Sequence, residues 1–272
     1  MPMVQSNKMF FSSFVSMWSV VYVTAVQNVR KEHRIPLMSL VNAVMKSLIF
    51  VLSFVLMFEF LGMRAAAIRG DFIIYLMTGI FMFMTHLAAI GAVSGAPSPA
   101  SPLMQHGPMT PTVAILGAAL SSLYTQFLSV FILLAGYYLA FEHFVINDWI
   151  GCLLMFLLAW GSGVAIGILI YSAQPWAPGF FKLLATFYQR ITMLASGKMF
   201  VANMLPAFVI NMFDWNPLFH IIDQTRGYAF VNYNPRNSDL IVPLVITAAC
   251  IVIGLITQYY TSKRASASWM AK

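Results

Sequence analysis

The sequence offers few groups of side chains that could carry out catalysis. It has no G-x-x-x-x-G-K-[ST] loop, so the chain does not hydrolyse ATP by that route. No Ser/His/Asp set and no pair of carboxylates stands at a catalytic spacing. The histidines beyond the N-terminal basic cluster are scattered singly, at His86, His106, His143 and His220. A lone histidine is more often structural than catalytic, so the sequence predicts no enzyme and no cofactor held by this chain.

The two cysteines, Cys152 and Cys250, lie inside apolar runs. They are typical of small buried hydrophobic residues, and they indicate no disulfide framework. Neither has a histidine at metal-ligand spacing, so no metal site is predicted.

Two isolated cations stand inside apolar runs. Lys46 lies a few residues into one run, and Arg190 lies near the middle of another. A cation in lipid is costly and usually faces a partner or a wet cavity. One hypothesis is that both meet an anionic substrate or a lipid headgroup. The alternative is snorkelling, or pairing with carbonyls at helix ends, and the sequence leaves both open.

The composition is that of a membrane protein. Of 272 residues, 60% are hydrophobic and only 8% are charged, and the mean hydropathy is +0.81. Soluble domains carry about a quarter charged residues. The net charge of +7 fits basic loops on the cytoplasmic side, and no basic surface interleaved with aromatics indicates nucleic acid.

Six apolar runs have about the 20 residues that a helix needs to cross a bilayer. The predicted fold is therefore an all-α integral membrane domain over residues 1–272, with a six-span bundle at 40–260 and a cytoplasmic tail at 261–272. The predicted spans are Leu40–Leu61, Phe72–Val93, Val113–Phe141, Ile150–Tyr171, Phe180–Met199 and Leu240–Tyr260.

Residues 8–34 predict an amphipathic helix ahead of the first span. Polar residues recur at helical spacing, aromatic and aliphatic residues fill the other face, and Pro36 ends the pattern. Such a helix can lie in the membrane interface, although a seventh span is the alternative. The basic cluster Arg30–Arg34 follows the apolar run Phe14–Val29 rather than preceding it, which is not typical of a cleaved signal.

The distribution of Lys and Arg predicts that both termini are cytoplasmic. With six spans, the side that holds the termini carries more basic residues than the other side. The first side holds Lys8, Arg30, Lys31, Arg34, Lys182, Lys263, Arg264 and Lys272, and the second holds Arg64, Arg69, Arg226 and Arg236, with Lys198 near its boundary.

The spacing Gly163-x-x-x-Gly167 in the fourth span predicts a close helix contact. The contact could lie inside one subunit or between two copies, and the sequence favours neither.

Residues 200–239 are too apolar for an open loop and too interrupted to span. They predict short helices that lie at the outer membrane surface or re-enter it, buried by protein. Asp214-Trp-Asn-Pro217 predicts a turn, because the residue before a proline disfavours helix. Asp223 and Arg226 stand three residues apart on the following helix, so they can form an ion pair.

The stretch Trp215-Asn-Pro-Leu-Phe-His-Ile-Ile-Asp-Gln-Thr-Arg226 resembles a signature of ABC-2 type transporter permeases, in the branch that exports capsular polysaccharide and O antigen. Pro108-Met-Thr-Pro111 resembles that family's P-x-x-P element, whereas Pro36-Leu-Met-Ser stands where the family has Gly-Tyr-x-Trp. The matching motif positions are Trp215, Asn216, Pro217, His220, Asp223 and Arg226.

The resemblance implies the membrane half of a bacterial inner-membrane exporter. Two copies would enclose a channel for a lipid-linked polysaccharide, and two separate subunits would bind ATP and Mg. Those subunits would dock on Leu103, Met104, Gln105, His106, Gly107, Pro108, Met109, Thr110 and Pro111. Expected residues of the substrate path are Lys46, Tyr124, Phe181, Tyr188 and Arg190.

Three other functions stay open. Within the same superfamily, the cargo could be a drug or another lipid. From other classes, the chain could be an intramembrane enzyme acting on a lipid-linked glycan, or a structural subunit of some other complex. The enzyme would need a convergent His/Asp/Glu cluster at one membrane face, and the sequence indicates none.

Overall fold

A computed structural model describes residues 2–31, 36–60, 62, 71–98, 101, 109–141 and 144–270, and this part of the chain is helical without strands. One short 3₁₀ turn, Ala202–Met204, follows the sixth α-helix. In chain order the helices are α1 (Pro2–Lys31), α2 (Pro36–Phe60), α3 (Phe72–Ser94), α4 (Pro111–Ala140), α5 (Trp149–Ala173), α6 (Pro178–Ala195), α7 (Ala207–Phe213), α8 (Pro217–Ala229) and α9 (Ile241–Met270).

Five of the described helices are long and apolar enough to cross a membrane: α2, α3, α4, α5 and α9. They correspond to the first four predicted spans and the last one. The chain is therefore a helical protein with several membrane-spanning helices. The predicted fifth span is not among the five, because the 18 residues of α6 include polar side chains along its length, which lower its mean hydropathy. That a sixth helix crosses the membrane, at Phe180–Met199, remains a prediction.

The centre of the bundle is α3. In its most apolar window 72% of the residues are buried, against 11% for α9 at the periphery. Helix α3 packs against α2, α4, α5 and α8, while α9 packs mainly on α5. An apolar helix can be surrounded by lipid or by protein, and four neighbouring helices surround α3.

Polar residues fix the beginnings of several helices. Asp71, Thr110 and Asp148 each accept a hydrogen bond from a backbone N–H in the first turn of α3, α4 and α5. Pro111 stands at the first position of α4, where a missing N–H costs nothing. These short polar interruptions between apolar runs set where each helix begins.

Helix α1 packs along α4. Val21 and Thr24 are buried there, whereas Trp18 and Tyr22 are exposed. Gly117 of α4 makes the contact possible, because a Cβ at this position would lie 2.7 Å from the Thr24 methyl carbon. The predicted amphipathic helix at 8–34 thus forms, starting at Pro2, and its predicted last residues 32–34 lie outside the described part. It is not one of the five candidate spans.

The spaced glycines of α5 serve packing inside one chain. A Cβ at Gly163 would meet the carbonyl oxygen of His86 and lie 2.9 Å from the Ala89 side chain. A Cβ at Gly167 would lie 2.8 Å from Val93. The sequence left open whether these glycines lie inside one subunit or between two copies, and the structure supports the contact inside one subunit, between α3 and α5.

Gly163→Ala is expected to destabilise the protein by about 1–3 kcal/mol, because the added methyl group has no room between α5 and α3. The midpoint of thermal unfolding in detergent measures the effect. Gly161→Ala is the matched control, because a Cβ there meets nothing within 4 Å and alanine favours a helix by about 1 kcal/mol over glycine. Equal midpoints for the two variants would contradict the assigned contact.

Candidate functional site

Asn216 joins the start of α8 to the end of α6. Its Oδ1 accepts a hydrogen bond from the Leu218 N–H at 3.1 Å, and its Nδ2 donates to the Ala195 carbonyl at 3.0 Å. The side chain is fully buried. Pro217 at the first helical position preorganises the turn. The Asn-Pro pair, predicted as a turn, is therefore also a link between two helices.

His220 connects the segment before α8 to the segment before α9. Its Nδ1 accepts from the Asp239 N–H at 3.1 Å, and since a neutral imidazole carries one proton, that proton lies on Nε2. Nε2 then donates to the Asp214 carbonyl at 2.8 Å, with the Asp214 carboxylate 3.3 Å away. The buried ring therefore holds two backbone segments in place.

Asp223 binds hydroxyl groups and does not pair with Arg226. Its two carboxylate oxygens accept hydrogen bonds from the Tyr233 and Ser238 hydroxyls, the latter at 2.7 Å. Burial and the neighbouring Asp223 carboxylate raise the pKa of Tyr233, so its hydroxyl remains a donor. The ion pair that the spacing allows does not form, because both groups find partners in the surrounding loops.

Arg226 organises the turn that follows α6. Its guanidinium donates to the carbonyls of Gly197 at 3.0 Å, Lys198 at 2.8 Å and Phe200 at 2.6 Å. The group lies 4.2 Å from the centre of the Tyr75 ring of α3, and the side chain is 1% exposed. Planar guanidinium geometry matches several carbonyls at once. One buried cation therefore fixes the turn against the core helix.

Lys198, in the same turn, points back into the bundle. Its Nζ donates to the Met193 carbonyl at 2.7 Å and lies 3.7 Å from the centre of the Phe83 ring. Burial lowers the pKa of Lys198 to about 8, while the ring face stabilises the charged form. At neutral pH the ammonium therefore persists. The turn after α6 is held by two buried cations, neither of them in an ion pair with a described carboxylate.

A second network crosses α3, α5 and α6 through His86. The Ser162 hydroxyl donates to the Ala159 carbonyl at 2.9 Å, so it accepts from His86 Nδ1 at 2.9 Å. His86 Nε2 then accepts from the Tyr188 hydroxyl at 3.1 Å. In the sequence His86 stands alone, with no potential partner at a recognisable spacing. Its partners lie 76 and 102 residues away, and nothing in the local pattern indicated them.

The remaining motif residue and the expected substrate path are dispersed. Trp215 is half exposed, and its indole donates to the Met212 carbonyl at 2.7 Å. Tyr124 and Arg190 are exposed, and Phe181 is half-buried. Lys46 lines a cavity between α1, α2, α3 and α4, which no residue of α6 lines. The structure therefore does not bring the five path residues together.

Most of the expected docking loop, Leu103–Pro108, lies outside the described residues. Its end is described: Met109, Thr110 and Pro111 lead into α4, and the Thr24 hydroxyl of α1 is 3.9 Å from the Met109 sulfur. Across the described residues, no group of three or more His, Cys, Asp or Glu side chains is placed to hold a metal ion.

The fold defines the class as a multi-pass helical membrane protein with a buried polar network around α8. The sequence matches no model of a known protein family, and it matches no curated protein.

Arg226→Lys is expected to lower the free energy of unfolding by about 3 kcal/mol, because an ammonium cannot reach all three carbonyls and buried unpaired groups are costly. The charge is kept, so the change tests guanidinium geometry alone. Thermal unfolding in detergent measures the loss. Arg236→Lys, at an exposed loop position, should leave the midpoint unchanged. Equal unfolding midpoints for the two variants would contradict the role of Arg226 in fixing the turn.

Proposed function

We propose that the chain is the membrane-spanning permease subunit of an ATP-driven exporter that moves a lipid-linked surface polysaccharide across the bacterial inner membrane. In this assembly two copies enclose a channel, and two separate subunits bind and hydrolyse ATP. The resemblance of residues 215–226 to polysaccharide-export permeases suggests the cargo. Asn216, His220, Asp223 and Arg226 from that motif are all buried, and each ties the α8 segment to a neighbouring part of the chain, which supports treating the motif as a unit.

The observation that carries the proposal is the exposed polar face of α6. Lys182, Thr186 and Arg190 follow one another at four-residue intervals, so they lie on one side of the helix, and all three are exposed. The stripe extends over about 12 Å at 1.5 Å per residue. Lipid chains solvate such a stripe poorly. A water-filled path between copies of the chain gives these groups the environment they require.

The outer surface of α6 also carries large apolar side chains. Phe180, Leu183, Leu184 and Phe187 are exposed beside the polar stripe, whereas Ala185, Thr192 and Ala195 are buried against the bundle. One helix thus presents an apolar strip suited to a second copy and a polar strip suited to a channel. Aromatic rings at the edge of such a channel would offer flat faces to sugars.

Helix α6 is anchored by the two networks described above. Tyr188 binds His86 near its middle, and Asn216 binds the Ala195 carbonyl at its end. Arg226 then fixes the turn beyond it. Because these anchors lie on the inner side, the polar stripe keeps a defined orientation. A channel that must guide a long polymer requires walls of fixed position, and this arrangement supplies one.

Coupling to the ATP-binding subunits would act through α4 and α1. The loop Leu103–Pro111 ends at the first turn of α4, and α1 packs along the same helix. A push on the loop would therefore be transmitted to both helices. Residues 1–272 contain no ATP-binding loop, which is consistent with the separate ATP-binding subunits of this proposal.

Purification of the protein with its native partners is the direct test. We expect an ATP-hydrolysing subunit in equal number with this chain, and hydrolysis whose rate changes when lipid-linked polysaccharide is added. If hydrolysis responds to a drug or to another lipid and not to glycolipid, the transported cargo is that compound and not a polysaccharide. Purification of the chain alone, without any ATPase, would contradict the proposal.

Arg190→Ala is expected to reduce polysaccharide export at least several-fold while the assembly remains intact, because it removes a cation from the proposed channel wall. Cell-surface glycan measures export, and size-exclusion chromatography of the complex measures assembly. Arg236→Ala serves as the matched control, since it removes an exposed arginine outside α6. Unchanged export in the Arg190 variant would exclude this role for the α6 stripe.

A further inference from the structure

A cavity of about 540 Å³ lies between α1, α2, α3 and α4, away from α6. This is within the size range of sites that bind small molecules, about 300–1,000 Å³. Its wall includes Asn28 of α1, Lys46 of α2, Gly91 of α3 and Gln126 of α4. Lys46 and Gly91 are exposed, so the cavity opens at the surface of the bundle.

The cavity lies at the end of the bundle where α1 and α3 end and where α2 and α4 begin. Lys46 is ten residues into α2, or about 15 Å along the axis from Pro36. A headgroup region is only about 5–8 Å thick on each side of a bilayer. If α2 begins at the membrane surface, the base of Lys46 therefore stands below the headgroup level. Its charge requires a polar environment there.

The polar groups that line the cavity are suited to an anion. Lys46 contributes an ammonium group, and no carboxylate in the described part of the chain forms an ion pair with it. None of the residues that line the cavity is acidic. The Lys46 ammonium is therefore the charge that an anion in the cavity would be drawn to.

Much of the rest of the wall is apolar. Seven of its residues have one-carbon side chains or none: Ala43, Ala88, Gly91, Ala92, Gly95, Ala96 and Ala118. Val29, Met84 and Leu87 add larger apolar groups, and Ser39, Ser121, Ser122 and Thr125 add hydroxyls. Such a wall leaves a smooth groove beside the polar groups. The combination of an anion site with an adjoining apolar groove favours an amphiphile over a free ion.

We propose that this cavity binds the phosphate group of an anionic phospholipid. The Lys46 ammonium donates to the phosphate, and an acyl chain lies along the alanine and glycine wall. The site is separate from the α6 stripe, because no residue of α6 lines the cavity. It therefore does not depend on the transport function, and failure of the export tests leaves it intact.

Binding is tested on the full chain purified in a neutral detergent and stripped of lipid. Phosphatidylglycerol, diacylglycerol and inorganic phosphate are added separately. Native mass spectrometry counts bound lipid, and thermal unfolding measures stabilisation. We expect phosphatidylglycerol to bind and to raise the midpoint, and diacylglycerol to do neither. Stabilisation by inorganic phosphate equal to that by phosphatidylglycerol would overturn the lipid assignment in favour of a free anion.

Two pairs of variants locate the site. Lys46→Gln should weaken phosphatidylglycerol binding about tenfold or more, since a charge-assisted hydrogen bond contributes about 1.5–3 kcal/mol. Arg236→Gln, the control for loss of a surface cation, should bind normally.

Gly91→Leu should fill the cavity without a clash, because a Cβ there meets nothing within 4 Å. Gly136→Leu adds the same volume at an equally open position on α4 outside the cavity.

The cavity-filling pair decides the question even if the Lys46 variant fails to fold. Loss of phosphatidylglycerol binding in Gly91→Leu, with normal binding in Gly136→Leu, supports the site. Normal binding in Gly91→Leu, or equal loss in both leucine variants, overturns it.

Discussion

The transfer of Arg226 from water into the protein is the constraint on which the surrounding structure depends. A guanidinium is not neutralised by losing a proton, so its burial requires acceptors on several sides. Three backbone carbonyls of one turn and the face of Tyr75 supply them. Backbone carbonyls can converge in this way only if the turn takes one conformation. The positive φ of Gly197 permits that conformation, and helix α6 ends there as a result.

The same arrangement explains why the polar loops between α6 and α9 are ordered parts of the fold. Asp223 binds two hydroxyls from the segment after α8, and His220 binds backbone on both sides of that helix. His220, Asp223 and Arg226 therefore replace hydrogen bonds that the neighbouring segments lose on leaving water, while the Arg226 Nε–H is left without an acceptor. Removing Asp223 would leave the Tyr233 and Ser238 hydroxyls without their acceptor.

The sequence predicts the spans well because hydrophobic length is a local property, and five of them appear near the expected boundaries. It predicts the short helices of residues 200–239 for the same reason. The partners of Arg226 and His86 could not be predicted, since backbone carbonyls carry no sequence signal and Ser162 and Tyr188 are distant in the chain. Helical spacing allows an Asp223–Arg226 pair, but it carries no information about the hydroxyls that donate to Asp223 or the carbonyls that accept from Arg226. The cavity at Lys46 depends on four helices at once and has no local pattern.

Helix α6 is tied to the bundle at both ends. Two residues before it, the Trp176 indole donates to the Thr261 hydroxyl of α9 at 2.8 Å. From Ala185 onward the helix contacts the bundle again, whereas most of residues 178–184 are exposed. A rod supported at two points bends most between its supports. Any bending of α6 would therefore be largest between Trp176 and Ala185, so a passage lined by this helix would change width along its wall and not only at one mouth.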